Sequence, residues 1–270
     1  MELEAELRRA VERDEFEVFY QPQVNLEDGR LVGAEALIRW RHPKRGLVAP
    51  ADFMPVANAS SMSDGIAFRV LESACRQGRH WQRNGHALRL SVNLSPSQLK
   101  SGDLAARVEA VLCGTGFSPS LLELEVTENI LLDDDERACA IFRRIQELGV
   151  SIAFDDFGTG YASLTYLKKF PLDRLKIDQS FVRELRAGSD DAAIVGSTIT
   201  LTRLLGLSVI AEGIEDRATA DLLRSMGCEE GQGYYFGHPM SAPEFEDRFL
   251  SKDAPLASGM SATQPAATAA

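Results

Sequence analysis

Short β-branched and aromatic runs alternate with longer amphipathic segments along most of the chain, and this alternation restricts the possible folds more than any other feature. Runs at residues 16–25, 32–40, 88–95, 121–127, 151–155, 174–178, 208–212 and 230–236 have strand composition. Helical patterns fall between most of them. Residues 63–83 place Ile66, Phe68, Val70, Leu71 and Ala74 at helical spacing. Residues 134–148 do the same with Ala138, Ile141, Phe142 and Ile145, ahead of Gly149, a residue suited to a helix C-terminus. Residues 192–205 and 216–226 repeat the pattern. Repeated strand-then-helix units build a parallel sheet covered by helices. Eight such strands over about 240 residues fit a closed barrel better than an open sheet. Only Glu27-Asp28-Gly29-Arg30 separates the first two runs, a hairpin signal, so that pair is expected to be antiparallel. The fold class expected is α/β, a modified TIM (β/α)8 barrel with an antiparallel first strand.

The ends of the chain read differently. Residues 1–14 form an amphipathic helix with Leu3, Leu7 and Val11 on one stripe, which either packs on the barrel or continues from a regulatory domain before it. Residues 255–270 are rich in Ala, Ser, Thr and Pro and read as disordered. The division expected is a barrel over residues 1–250 and a disordered tail over 251–270. With 270 residues, 44% hydrophobic and 26% charged, the composition is that of an ordinary globular protein. A net charge of −11 without a long Lys/Arg run argues against tracking a polymeric nucleic acid. A small phosphate ligand stays compatible, because bound metal ions can reverse the local field. Cys75, Cys113, Cys139 and Cys228 are widely spaced, and read as buried small hydrophobes in a reducing compartment. The charged N-terminus is no signal peptide, and no apolar run is long enough to span a bilayer, so a cytoplasmic location is expected.

A polar residue interrupts nearly every strand candidate: Glu35, Asn93, Glu125, Lys176, Glu212 and Gln232. The run at 151–155 ends in Asp155-Asp156 before Gly158-Thr159-Gly160. An Asp-Asp pair alone reads first as a solvated turn, and a single polar residue reads as the outward face of a half-exposed strand. Barrel strands, however, are covered outside by helices and filled inside by side chains, so only their C-terminal ends meet water. Polar residues recurring on that many strands would form a carboxylate-lined cup there. Carboxylates and an Asn carbonyl are hard oxygen donors that suit Mg²⁺, Mn²⁺ or Ca²⁺, and His42, His80, His86 and His238 lack ligand spacing. About five acids suffice for two metals sharing one carboxylate, an arrangement suited to displacement at phosphorus. Lys176 would be a buried cation near the attacking water or the phosphate. Arg39, on the strand face of Glu35 and Leu37, is placed either to reach a phosphate oxygen or as a solvated strand end. Successive strand residues point to opposite faces, so Asp155 and Asp156 can both serve only if the strand breaks at Asp156, a break the Gly158-Thr159-Gly160 turn is expected to allow.

Taken together, the motifs resemble the EAL family of bacterial cyclic di-GMP phosphodiesterases. They stand, in the family's order, as Tyr20-Gln21-Pro22-Gln23, Glu35-Ala36-Leu37-Ile38-Arg39-Trp40, Val92-Asn93-Leu94-Ser95, Glu125-Val126-Thr127-Glu128, Asp155-Asp156-Phe157-Gly158-Thr159-Gly160, Lys176-Ile177-Asp178, Glu212-Gly213-Ile214-Glu215 and Gly231-Gln232-Gly233-Tyr234. Val126 and Asn129 are mild departures that remove no ligand. The resemblance implies hydrolysis of cyclic di-GMP to linear pGpG with two Mg²⁺ or Mn²⁺ ions. Glu35, Asn93, Glu125 and Asp155 would hold one ion, while Asp155 bridges to a second that Asp156 binds and Glu212 reaches through water. Lys176 would orient or help deprotonate the attacking water, with the general base left open between Lys176 and Glu212. Gln21, Arg39 and Gln232 would contact substrate. Glu215 would support the site, and Glu128 would tie down the loop at 157–167, through which a homodimer is expected. The main rival is a catalytically inactive cyclic di-GMP receptor of the same fold. A Mg²⁺-dependent barrel lyase using Lys176 as base accounts for the acids but not for Arg39 or the paired aspartates.

Overall fold

The computed structural model describes residues 2–60, 62–127, 135–158 and 164–251. Among the described residues nine strands run in chain order: β1 (Phe16–Asn25), β2 (Leu31–His42), β3 (Gly46–Val48), β4 (Arg89–Asn93), β5 (Leu122–Thr127), β6 (Ser151–Phe157), β7 (Arg174–Ile177), β8 (Ser208–Ala211) and β9 (Glu230–Gln232). Their order is β1-β9-β8-β7-β6-β5-β4-β2-β3, and β1 also pairs with β2, which closes an eight-stranded ring with β3 appended. β1 is antiparallel to both β2 and β9. From β2 through β4 to β9 the pairs are parallel. The expected barrel and its reversed first strand are both present. Reversal is enforced in the β1–β2 turn, where Asn25 Oδ1 accepts from the backbone of Glu27 and Asp28 and Gly29 takes φ 69°. A connection that short cannot make a parallel crossover.

Strand alternation divides the molecule into two interiors. Leu90 and Val92 of β4, Leu122, Leu124 and Val126 of β5, and Leu175 and Ile177 of β7 join one apolar core with residues of the surrounding helices. That core includes Leu71, Ala74 and Trp81 of the Ser63–Arg83 helix and Val195 and Ile199 of the Asp190–Leu205 helix. The alternate residues, Arg89 and Ser91, Glu123 and Glu125, Arg174 and Lys176, lie on the opposite, inward strand face. The barrel is thus filled by polar side chains where branched aliphatics are usual.

Buried charges persist only when paired. At the N-terminal ends of the strands they are: Arg174 Nε lies 2.8 Å from Glu123 Oε2 and its Nη1 lies 2.9 Å from Glu230 Oε2. Arg89 Nη2 lies 2.5 Å from Glu230 Oε2, and Ser91 Oγ donates to Glu123 at 2.7 Å. Burial alone would raise the Glu123 carboxyl, but Arg174 and Arg89 outweigh it and hold it below the usual range. The floor of the barrel is a closed ionic plug.

The Glu2–Arg13 helix packs on the barrel, with Leu7 and Ala10 fully buried against Trp40, Phe53, Ala57 and Ile66 in a second, smaller core. Full burial of a leucine such as Leu7 contributes about 1.5–3 kcal/mol. Several elements differ from expectation. β9 ends at Gln232 instead of running to residue 236, because Ile214 takes over the pairing: its N–H donates to Gln232 O at 3.1 Å and its carbonyl accepts from Tyr235 at 3.0 Å. Gly233 permits this approach, since a Cβ there would meet the backbone of Ile214. Helices at Pro50–Ala59 and Leu104–Thr115 were not anticipated. Of the four cysteines, all free, Cys113 is exposed and only the other three are buried. The expected tail at 251–270 falls, beyond Ser251, outside the described residues.

Candidate active site

The break predicted in the sixth strand is made by Asp156 itself. The β6–β7 register shifts between Phe154 and Phe157, and Asp156 adopts φ 55°. Asp tolerates this left-handed conformation better than most residues. Gly158, at φ 99°, follows the break and does not create it. With Asp156 turned, Asp155, Asp156 and Glu212 each bring a carboxylate oxygen within 4.8 Å of the others. Glu212 reaches the group from just beyond β8, anchored by its N–H to Ile177 O at 3.0 Å.

Beneath them Lys176 is 1% exposed, with Nζ 2.7 Å from Glu212 Oε1, 2.8 Å from Glu125 Oε2 and 3.1 Å from Asp155 Oδ1. Burial would lower its pKa, but Asp155, Glu125, Glu212 and Glu35 together hold it well above the usual lysine value. Its acidic neighbours are raised as well. Burial first, then Glu35, push the Glu125 carboxyl well up against the pull of Lys176. Glu212 is pushed by burial to about 8, despite Lys176, with Asp155 adding to the rise. Burial, then Asp155 and Asp178, push Asp156 to about 6.

A second group forms where β1, β2, β4 and β9 meet. Gln21 stands opposite Glu35 in the β1–β2 ladder. Asn93 Nδ2 donates to Glu35 Oε1 at 2.8 Å, and Gln232 Nε2 donates to Glu35 Oε2 at 2.5 Å and to Gln21 Oε1 at 3.0 Å. Gln21 in turn donates to the carbonyl of Gly237 at 3.2 Å. The two groups share a cleft of about 180 Å³ whose lining includes Gln21, Glu35, Asp155, Lys176, Glu212 and Gln232.

Other expected residues sit further out. Arg39 is outside that lining, with its guanidinium donating to Ile38 O at 2.8 Å and lying 5.8 Å from the Phe19 ring centre. Burial lowers its pKa, while Glu35 and Tyr234 work to raise it. Glu215 lines the cleft and pairs loosely with Arg183 at 3.5 Å. Glu128 and residues 159–163 of the loop at 157–167 lie outside the described residues.

The donors fit hard divalent cations. Glu35, Glu125, Asp155, Asp156 and Glu212 surround a single lysine, and Glu125 Oε1 is buried without a hydrogen-bond partner. An unpaired buried carboxylate oxygen is costly unless a cation takes it. The polar residues that were not anticipated are Gln23, Arg89, Ser91, Glu123, Arg174 and Glu230. Five of them carry a legible signal, because Ser91, Glu123, Arg174 and Glu230 each precede an anticipated residue by two, and Gln23 follows Gln21 by two, so each shares that residue's strand face.

Fold and site together define a β/α-barrel protein with an acidic, metal-suited cup at the C-terminal ends of its strands. The chain belongs to the EAL domain family, whose model matches residues 4–239. It is 42% identical over 245 residues to the bifunctional diguanylate cyclase/cyclic di-GMP phosphodiesterase MucR of Pseudomonas aeruginosa, covering 90% of this chain and 36% of MucR. It is 41% identical over 248 residues to the cyclic di-GMP phosphodiesterase NbdA of the same organism, covering 92% of this chain and 32% of NbdA. The chain therefore spans roughly a third of the length of these relatives. A solved structure of the PaMucR phosphodiesterase in a c-di-GMP complex superposes with a TM-score of 0.87 at 42% identity, covering 91% of this chain and all of that one.

Proposed function

We propose that this domain hydrolyses cyclic di-GMP to linear pGpG at the acidic cup, using two Mg²⁺ or Mn²⁺ ions. The observation that carries the reading is the unpartnered oxygen of Glu125, buried beside the Asp155, Asp156 and Glu212 group. Similarity to MucR and NbdA supplies the substrate class. Glu35, Asn93, Glu125 and Asp155 would hold one ion, and Asp155, Asp156 and, through water, Glu212 the other. Bound there, the ions would supply an acidified water and positive charge for the phosphoryl oxygens.

The protein's own groups do the rest. Asn93 and Gln232 fix both oxygens of Glu35, which keeps the carboxylate in one plane. Lys176 and Glu212, 2.7 Å apart, form a pair that orients the attacking water and handles its proton. Water adds to phosphorus, the ribose O3′ leaves with a proton, and the 5′-phosphate remains on pGpG. Gln21, Gln232 and Arg39 would contact the substrate, Arg39 after turning from the Ile38 carbonyl. The proposal extends to a cytoplasmic location, a homodimer through residues 157–167 with Glu128 securing that loop, Glu215 supporting the site, and a regulatory domain N-terminal to the barrel. Among the described residues no helix is long and apolar enough to cross a membrane.

The test is product analysis. Incubated with cyclic di-GMP and Mn²⁺ or Mg²⁺, the protein should release pGpG. Tight binding with no product under either metal would replace the enzyme with a receptor.

A further inference from the structure

We propose that Gln23 is a positioning residue: it sets which way the Gln232 amide faces, and so guarantees Glu35 a hydrogen-bond donor instead of a second acceptor. This rests on the reading of Glu35 as a metal ligand. Gln23 is fully buried inside the barrel, opposite Gln232 in the β1–β9 ladder.

A glutamine amide can be placed two ways, with oxygen and nitrogen exchanged, and only its partners decide which. Here one partner cannot be reversed. Arg89 has donors and no acceptor, and its Nη2 lies 3.0 Å from Gln23 Oε1. Gln23 must therefore turn its Nε2 the other way, where it donates to Gln232 Oε1 at 3.0 Å and to Ser91 Oγ at 3.4 Å. Gln232, its oxygen used, presents Nε2 to Glu35. At that end the ionised carboxylate accepts only. The chain Arg89, Gln23, Gln232, Glu35 thus runs from a donor-only terminus to an acceptor-only terminus, and each amide between them has one satisfied orientation.

The surroundings hold the relay in place. Arg89 is fixed by Glu230, itself part of the floor plug with Arg174. A Cβ on Gly33 would lie 2.8 Å from Gln23 Oε1 and 2.9 Å from the Arg89 carbonyl, so the missing side chain is the space the relay occupies. Asn93 covers only the other oxygen of Glu35. If Gln232 flipped, its carbonyl oxygen would face Glu35 Oε2 and push the carboxylate out of position.

Two variants separate positioning from packing. Gln23→Glu keeps the shape and the acceptor for Arg89 but removes the donor to Gln232, so the Gln232 amide reverses. Gln23→Met removes both bonds and leaves the Gln232 amide held only by Glu35 and Gln21, with its oxygen no longer engaged by Gln23. Mn²⁺ affinity, followed by electron paramagnetic resonance, should fall about 10–100-fold in Gln23→Glu and less in Gln23→Met, with thermal unfolding of the metal-free proteins recorded alongside. A packing role predicts the reverse order, with the isosteric glutamate the milder change. Equal affinity in wild type and both variants, or a loss that only tracks the unfolding temperature, overturns the assignment. If Gln23→Glu does not fold, unchanged Mn²⁺ affinity in Gln23→Met overturns it alone. A wild-type protein that binds no Mn²⁺ contradicts instead the metal-site reading beneath it.

Discussion

At the scale of single residues, the cup is a problem of charge. Five carboxylates around one buried ammonium leave negative charge in excess, and burial together with this mutual repulsion raises the carboxyls of Glu125 and Glu212 above the usual range. Each candidate ligand is therefore expected to matter through its charge more than its bulk. Glu35→Gln keeps the shape and a partner for Asn93 but removes the negative oxygen. Its turnover should drop by more than about a hundredfold with the fold intact, since loss of a direct ligand exceeds the usual effect of an outer partner. Near-normal turnover in that variant would sink the ligand assignment. Lys176 and Glu212 can be told apart by pH–rate profiles. Lys176→Met and Glu212→Gln should each lower kcat by about 10²–10⁴-fold, and the one whose profile loses its acidic limb, where protonation of the base stops the reaction, is the proton acceptor. Profiles unchanged in shape for both would assign proton transfer elsewhere.

At the scale of elements, the break in β6 has a cost that can be measured. Only Asp156 and Asp14 among the described non-glycine residues take positive φ. Alanine at 156 would lose the tolerance of Asp for this conformation, a cost of about 1–2 kcal/mol. Asparagine would keep the conformation and lose the charge. Asp156→Ala should thus unfold earlier than Asp156→Asn, while both lose Mn²⁺ affinity. Equal stability would mean the bulge is held by its neighbours.

The same element shows what the sequence could reveal. Alternation theory predicted that the strand must break at Asp156, because two adjacent side chains cannot face one site on a regular strand. It could not tell that the Asp adopts the left-handed turn itself. The inward partners two residues before each anticipated position were legible as strand periodicity, yet they looked like ordinary surface polarity until barrel closure buried them. The inward placement of Gln23, two residues after Gln21, was legible in that way, but its role was not, because it comes from Arg89 and Gln232, which lie 66 and 209 positions away. The extent of β9 was equally beyond reach, set by backbone pairing to Ile214.

At the scale of the whole molecule, polar filling makes stability depend on pH and metal. A carboxyl whose pKa is higher folded than unfolded binds more protons in the folded state, so stability falls as pH rises between the two values. Glu212, raised from 4.5 to about 8, and Asp156, raised from 3.8 to about 6, both act in this direction. Their contribution is complete below the unfolded values and lost by the folded ones. The metal-free protein is therefore predicted to melt at progressively lower temperature from about pH 5 to about pH 8.5. Mn²⁺ requires the deprotonated ligands, so its stabilising effect should grow over the same interval. A melting temperature that rises with pH in chelator would show that the ionic floor, and not the cup, controls this dependence.

The most direct measurement of the central claim is a metal add-back. The protein is stripped with chelator, Mn²⁺ is returned in steps, and conversion of cyclic di-GMP to pGpG is followed at each step. The expected result is no turnover in the stripped protein and a rate that reaches its plateau at two ions per chain. Full turnover in chelator, or a plateau at one ion, would contradict a two-ion site built on Asp155.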